Sequence, residues 1–355
     1  VVRMTWWQKC LSGSVLFWLS GCQSLHYYGH SIKGQWQIIS QRQAIPKIMA
    51  NSQTSPKLLN QLQTIQNIRL FAASLGLPTK GQYDTYVDIH RPYAMWSVAA
   101  TPELSLATKT WCYWGVGCLG YRGFFEQTLA ESFEQQLKQE GLDTYLSRVT
   151  AYSTLGWFRD SVLSSFINKS ENELAELLFH ELAHQVVYAK GDAVFNESFA
   201  DVVAEEGLRR YLVGRADGFQ QIVTRKKRQQ QFAQLVLDYR QQLHQVYRSK
   251  MAESDKREQK KSLFLALNQS YQKLKDEQWQ GYKAYDAWFA ELSNAKLNSV
   301  SVYNELMPAL NVILKAHNDD LPKFYNTCKR LAKLSKAERH RILNNTNPDL
   351  PLSLP

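Results

Sequence analysis

The segment His180-Glu181-Leu182-Ala183-His184 constrains this chain more than any other stretch. Residues four apart share one face of a helix, so both imidazoles can grip one ion. Leu177, Leu178 and Phe179 precede the segment and Val186 and Val187 follow it, which marks the helix as a core element. Imidazole ligands suit zinc, which lowers the pKa of a bound water to about 7. Glu181 points beside such an ion and can take the water's proton. Taken alone, the pattern also suits a buried helix with two satisfied histidines.

The next helix shifts the balance. It opens Asn196-Glu197-Ser198-Phe199-Ala200-Asp201 after a turn at Lys190-Gly191-Asp192. A catalytic zinc takes three protein ligands and keeps one position open. Glu197 is the right kind of third ligand. Asp201 lies four residues on, on the same face, where it can accept the second ring N–H of His180 or His184 and set its tautomer. HELAH followed by NESFAD resembles the thermolysin-like zinc peptidases, the gluzincins, whose second helix carries an Asn-Glu-x-x-x-Asp pattern. A closer resemblance covers most of the chain. The stretches WCYWGVGCLGYRGFF, VTAYSTLGWFRDSVLSSF and FHELAHQVVYAKGDAVFNESFAD are similar to a bacterial family of exported zinc proteins, the predicted aminopeptidases. That resemblance implies a gluzincin site and an exported location and says less about substrate, for which a peptide or protein is the expectation. The Gly-x-Met-Glu-Asn substrate motif of the best-known zinc aminopeptidases is absent.

Other parts of a peptidase site are less marked. Zinc peptidases commonly bind substrate along an edge strand that precedes the metal helix. Val149 to Thr154 is the expected strand, and a plain core strand is the other reading of it. The oxyanion formed by water attack needs a donor besides the ion. Tyr152 and Tyr303 are the candidates, although most tyrosines serve as amphipathic packing residues. Tyr121 and Arg122 are read as ordering the loop beside Cys118.

The first 22 residues read as a secretory leader. Arg3 and Lys9 precede an uncharged apolar run from Leu11 to Leu19, followed by Leu19-Ser20-Gly21-Cys22. That ending matches a bacterial lipobox, with Cys22 as the lipidated residue. An ordinary leader ending on a chance cysteine is the alternative. Gln23 after the cysteine, in place of aspartate, fits an outer-membrane address facing the periplasm of a Gram-negative-type bacterium. This placement also sorts the five cysteines. Cys10 leaves with the leader and Cys22 carries lipid. Cys112 and Cys118, six apart, are expected to form a disulfide, which an exported compartment permits. A two-cysteine metal site is the rival, but no Cys or His nearby in sequence completes it. Cys328 is read as a buried thiol.

Composition enters through charge. Lys and Arg exceed Asp and Glu by 42 to 32, a formal charge of +10. Arg225 to Arg228 and Lys256 to Lys261 concentrate it. A nucleic-acid face uses such stripes, but an exported lipoprotein rarely meets nucleic acid, and no nucleic-acid partner is expected. A solvated helix surface is the first reading, contact with anionic headgroups the second. Apolar residues make up 44%, too many for a disordered chain.

The expected fold is α+β and predominantly α-helical: a zincin-type metallopeptidase domain with a small sheet and a long helical hairpin. Its divisions are a leader over 1–21, a lipidated tether over 22–40 and a catalytic region over 41–217. A hairpin over 218–289, turning near Met251 to Asp255, and C-terminal helices with a tail over 290–355 complete it. Single helices are expected over 56–76 and 122–140, and strands over 86–114. The expected activity is zinc-dependent peptide hydrolysis. The rival is an envelope assembly or chaperone-like lipoprotein with a mainly structural zinc.

Overall fold

The computed structural model describes residues 27–113, 117–154, 158–214 and 219–346. The expected leader and Cys22 lie outside them. Residues 27–40 are helical (α1), so much of the stretch read as a tether is ordered helix. After β1 (Gln43–Ala44) and α2 (Ile45–Met49) comes α3 (Pro56–Ser74). Ser55 caps α3 by accepting from the Leu58 N–H, and Pro56 opens it where no N–H is needed. Leu62, Ile65, Ile68 and Ala72 fall at helical spacing and are buried in the main core.

α5 (Glu171–Ala183) and α6 (Ala193–Tyr211) pack against each other at the centre of that core. α5 begins with a capping box. Ser170 Oγ accepts from the Glu173 N–H, and the Glu173 carboxylate accepts from the Ser170 N–H. On α6, a Cβ added at Gly207 would stand 2.8 Å from Phe179 of α5. The missing side chain is what allows the two helices to approach so closely. Ile313 and Leu314 of α11 (Met307–Ala316) and Phe324 and Cys328 of α12 (Leu321–Lys333) complete the packing.

A second layer is an antiparallel sheet in the order β6-β3-β7. β3 (Met95–Pro102) pairs with β6 (Tyr121–Phe124), Trp96 opposite Phe124, and with β7 (Leu142–Val149), Val98 opposite Leu146. α4 (Gln127–Gln139) covers it with Ala130 and Leu137. β2 (Thr85–Val87) pairs antiparallel with β1 and parallel with β8 (Val162–Leu163). β4 (Trp111–Tyr113) and β5 (Gly117–Leu119) form a ribbon in which Cys112 and Cys118 stand opposite each other and are disulfide-bonded.

Two expectations need correction here. Residues 122–140 are not one helix. Residues 121–124 pair with β3, because Phe124 gains a cross-strand aromatic neighbour and a buried site there, and the helix starts only at Gln127. The strand expected over 149–154 stops at Val149. Beyond it the buried Asp160 carboxylate accepts from the Thr154 N–H and hydroxyl and from Ser153 Oγ, which holds that segment out of a ladder.

The hairpin consists of α7 (Phe219–Arg248) and α8 (Glu253–Gln278), with a core of its own containing Val236, Leu243, Leu267 and Tyr271. Trp279 and Phe289 of α9 (Asp286–Phe289) close that core. α10 (Asn294–Asn304) packs on α6, α7, β3 and β7, and α13 (Lys336–Asn344) ends the described chain. The basic stripe is largely engaged with the body of the protein. Arg225 and Lys226 reach Glu176 of α5 at 2.5 and 2.6 Å, and Lys226 also meets Glu205 of α6 at 2.9 Å. Arg257 pairs with Glu103, and Lys260 with Asp143 on β7. Arg225, Lys226 and Lys260 dock the hairpin, so the solvated-surface reading does not hold for them, while the Arg257–Glu103 pair stays largely exposed. Among the described residues no helix is long and apolar enough to cross a membrane. The whole is α+β and predominantly helical.

Candidate metal centre

α5 delivers His180 and Glu181 in its last turn and ends at Ala183, so that His184 is its C-cap. The His184 backbone keeps helical angles and its N–H still points to the His180 carbonyl, which preserves the one-turn relation of the two rings. The chain then reverses through residues 185–192. Asn196 braces this turn: its side-chain oxygen accepts from the Ala189 N–H at 2.7 Å and its amide donates to the Ala189 carbonyl at 3.0 Å. Asp192 caps α6 by accepting from the Phe195 N–H. The fully buried Asp192 also receives the guanidinium of Arg339 at 2.8 Å and stands 3.0 Å from His340, both on α13. A residue 147 positions away thus pins the start of the helix that carries Glu197.

His180, His184 and Glu197 converge and form a group able to hold a metal ion. The two Nε2 atoms are 3.2 Å apart, and Glu197 Oε2 lies 3.4 Å from His180 Nε2 and 3.7 Å from His184 Nε2. Ligand atoms about 2.0–2.1 Å from a tetrahedral zinc lie roughly 3.3–3.4 Å from one another. The three side chains therefore already form one face of such a tetrahedron. His180 Nδ1 is 2.8 Å from Asp201 Oδ1. The carboxylate can only accept, so Nδ1 carries a proton, and Nε2 is the nitrogen turned towards His184 and Glu197.

The electrostatics point the same way. Burial pushes the Glu181 carboxyl up to about 7; His180 opposes this, and Glu197, Asp160 and Asp201 add to it. Burial also drives His184 down to about 4. Burial works against charge on His180 as well, but its contacts with Asp201 and Glu197 outweigh that and raise it well above the usual imidazole value. Burial likewise resists ionisation of Glu197, and the two histidines overcome it, leaving Glu197 below the usual range. Three carboxylates thus act on Glu181 and one imidazole opposes them. A divalent cation supplies the positive charge such a cluster lacks.

Of the residues read from sequence, the structure brings His180, Glu181, His184, Glu197 and Asp201 together. Tyr152 is turned elsewhere, its hydroxyl donating to Gln35 of α1 at 2.6 Å. The side chain of Tyr303 lies outside the described residues. Cys112 and Cys118 sit near the α5–α6 turn, since Gly117 packs on Lys190. Tyr121, read from sequence as ordering the loop beside Cys118, is exposed on β6 and stands close enough to Glu197 and Glu181 to feel their charge. Other neighbours were missed. Tyr83 is buried in a left-handed conformation, in the field of Glu181 and Asp160, and its hydroxyl has no hydrogen-bond partner among the described residues. Asp160 also reaches Gln185, next to His184, at 3.4 Å. The Asn before Glu197 was a usable sign of the brace at Ala189. No local signal marks Tyr83 or Arg339.

The helix pair thus presents two imidazoles and a carboxylate to one point, a group that could hold a metal ion, with a buried carboxyl beside them. A family model described as "Putative aminopeptidase" matches residues 26–343, and the chain belongs to that family. Neither a curated protein nor a solved structure matches it.

Proposed function

We propose that this protein is a zinc-dependent peptidase, an aminopeptidase by family, held at the membrane by lipid on Cys22. The convergence of His180 Nε2, His184 Nε2 and Glu197 Oε2 at tetrahedral-edge distances beside a buried Glu181 carries the reading. His180, His184 and Glu197 hold the ion. Zinc, when bound, supplies a Lewis acid for the scissile carbonyl and an acidified attacking water. Glu181 accepts the water's proton and later delivers it to the leaving amine. Its burial beside the ligand group suits a carboxyl that both takes and gives a proton. Asp201 fixes the tautomer of His180, and the Asp192–Arg339 junction together with Asn196 sets the approach of Glu197. A purely structural zinc has no use for a buried carboxyl at that position, which favours hydrolysis over the assembly role.

The test uses the mature chain from residue 22, with metal analysis and cleavage of a mixed peptide library. Equimolar zinc and hydrolysis are expected, and release of N-terminal residues separates exo- from endopeptidase action. Glu181→Gln should keep the zinc and lose about a thousandfold or more in turnover. Wild-type rates in that variant, or a chain that takes up no zinc, would overturn the reading.

A further inference from the structure

α1 has two unlike faces. Gly34 and Ile38 are buried, and a Cβ on Gly34 would come within 2.3 Å of the Phe125 ring, so the helix lies tight against the body. Gln35 accepts from Tyr152, and Tyr27 sits beneath the Arg122 guanidinium, 3.8 Å from ring to charge. These contacts fix the rotation of the helix about its axis. The opposite face carries Tyr28, Ile32 and Trp36 at steps of four, 41%, 69% and 66% exposed. Lys33 and Gln37 are exposed to one side of them, and residues 27–40 contain no Asp or Glu. Leu70, Phe158, Val213, Val223, Met251, Leu265 and Tyr282 are also exposed, but each lies on a different segment. α1 alone among the described elements lines up three such side chains.

The position of this face indicates its occupant. Five peptide steps separate Cys22 from Tyr27, and an extended chain covers at most about 18 Å in that distance. A lipid on Cys22 therefore holds the start of α1 close to the headgroups. Tyr and Trp favour the membrane–water boundary because their rings are apolar with a polar edge. A lysine beside them suits anionic headgroups, and the absence of carboxylates removes repulsion. We propose that the Tyr28-Ile32-Trp36 face of α1 lies on the phospholipid bilayer, so that the protein is set against the membrane by a helix face as well as by its lipid. The proposal rests on the lipoprotein reading for the tether length and is independent of the peptidase reading.

The experiment uses the mature chain from residue 22 with Cys22→Ser, which carries no lipid and contains every described residue. It is sedimented with vesicles of phosphatidylethanolamine and a minority of phosphatidylglycerol. This protein should sediment with the vesicles, and the combined Tyr28→Ser, Ile32→Ser, Trp36→Ser variant should lose about tenfold or more of that binding. Trp36→Ala alone, at an exposed position, should lose several-fold and serves if the triple variant does not fold. Unchanged peptidase activity and thermal unfolding verify that the body is intact. Failure of the parent to bind, equal binding by the variants, or vesicle-free self-association abolished by the same substitutions would overturn the proposal, the last assigning the face to a second copy. Mass measurement of the native amino terminus tests lipidation separately, so a failure of the lipoprotein reading is told apart from a failure of the proposal.

Discussion

The α5–α6 pair and the α7–α8 hairpin treat charge in opposite ways. In the hairpin, cations meet anions of the body one for one: Arg225 and Lys226 with Glu176 and Glu205, Arg257 with Glu103, Lys260 with Asp143. Nothing further is needed to neutralise those contacts. At the C-terminal end of α5 the chain instead gathers Glu181, Glu197 and Asp201 around two imidazoles whose Nε2 atoms face each other. Gathering like groups costs free energy unless an ion completes them. The hairpin's charges are paired within the chain, whereas those of the helix pair form a group that could hold a metal ion. The Asp192–Arg339 contact is informative because it lies next to that group yet is completed within the chain.

Three substitutions sharpen this contrast. Arg339→Met should have the largest effect on stability. It leaves Asp192 buried without its main partner, and breaking such a pair costs about 3–5 kcal/mol. Denaturant unfolding of the chelated protein measures it, and a loss below about 1 kcal/mol would show that Asp192 does not depend on Arg339 and that His340 suffices. Asp201→Asn should leave the fold intact and weaken zinc binding by about ten- to a hundredfold. Competition with a chromogenic chelator reads that change. Unaltered affinity would mean that His180 needs no orienting carboxylate. Arg257→Ala, whose partner is solvent-exposed, should change the thermal midpoint little or not at all. A clear drop there would show that the hairpin leans on that single contact.

The site was readable because its parts are local. His180, Glu181 and His184 lie within one helical turn, and Glu197 and Asp201 share a face of the next helix, so spacing alone implied the ligand set and its orienting carboxylate. The pairing of Cys112 with Cys118 was readable for the same reason, since six residues separate them. The hairpin, too, showed itself in a long stretch nearly without Gly or Pro. Misreadings arose where distant partners intervene. Residues 121–124 have the apolar spacing of a helix but are drawn into a sheet by β3. Tyr152 precedes the metal helix as a substrate-side tyrosine should, yet its hydroxyl is taken by Gln35, 117 residues upstream.

The sequence by itself indicated the candidate metal-ligating group and the predominantly helical class, because helix periodicity converts spacing directly into shared faces. Only the tertiary structure decided what surrounds them. It placed Arg339 on Asp192, Tyr121 near Glu197, the basic stripe against acidic side chains of the body, and three apolar side chains of α1 towards the outside. Those outcomes depend on contacts between segments far apart in the chain, where no repeat or spacing carries the information and packing and charge pairing select the partner.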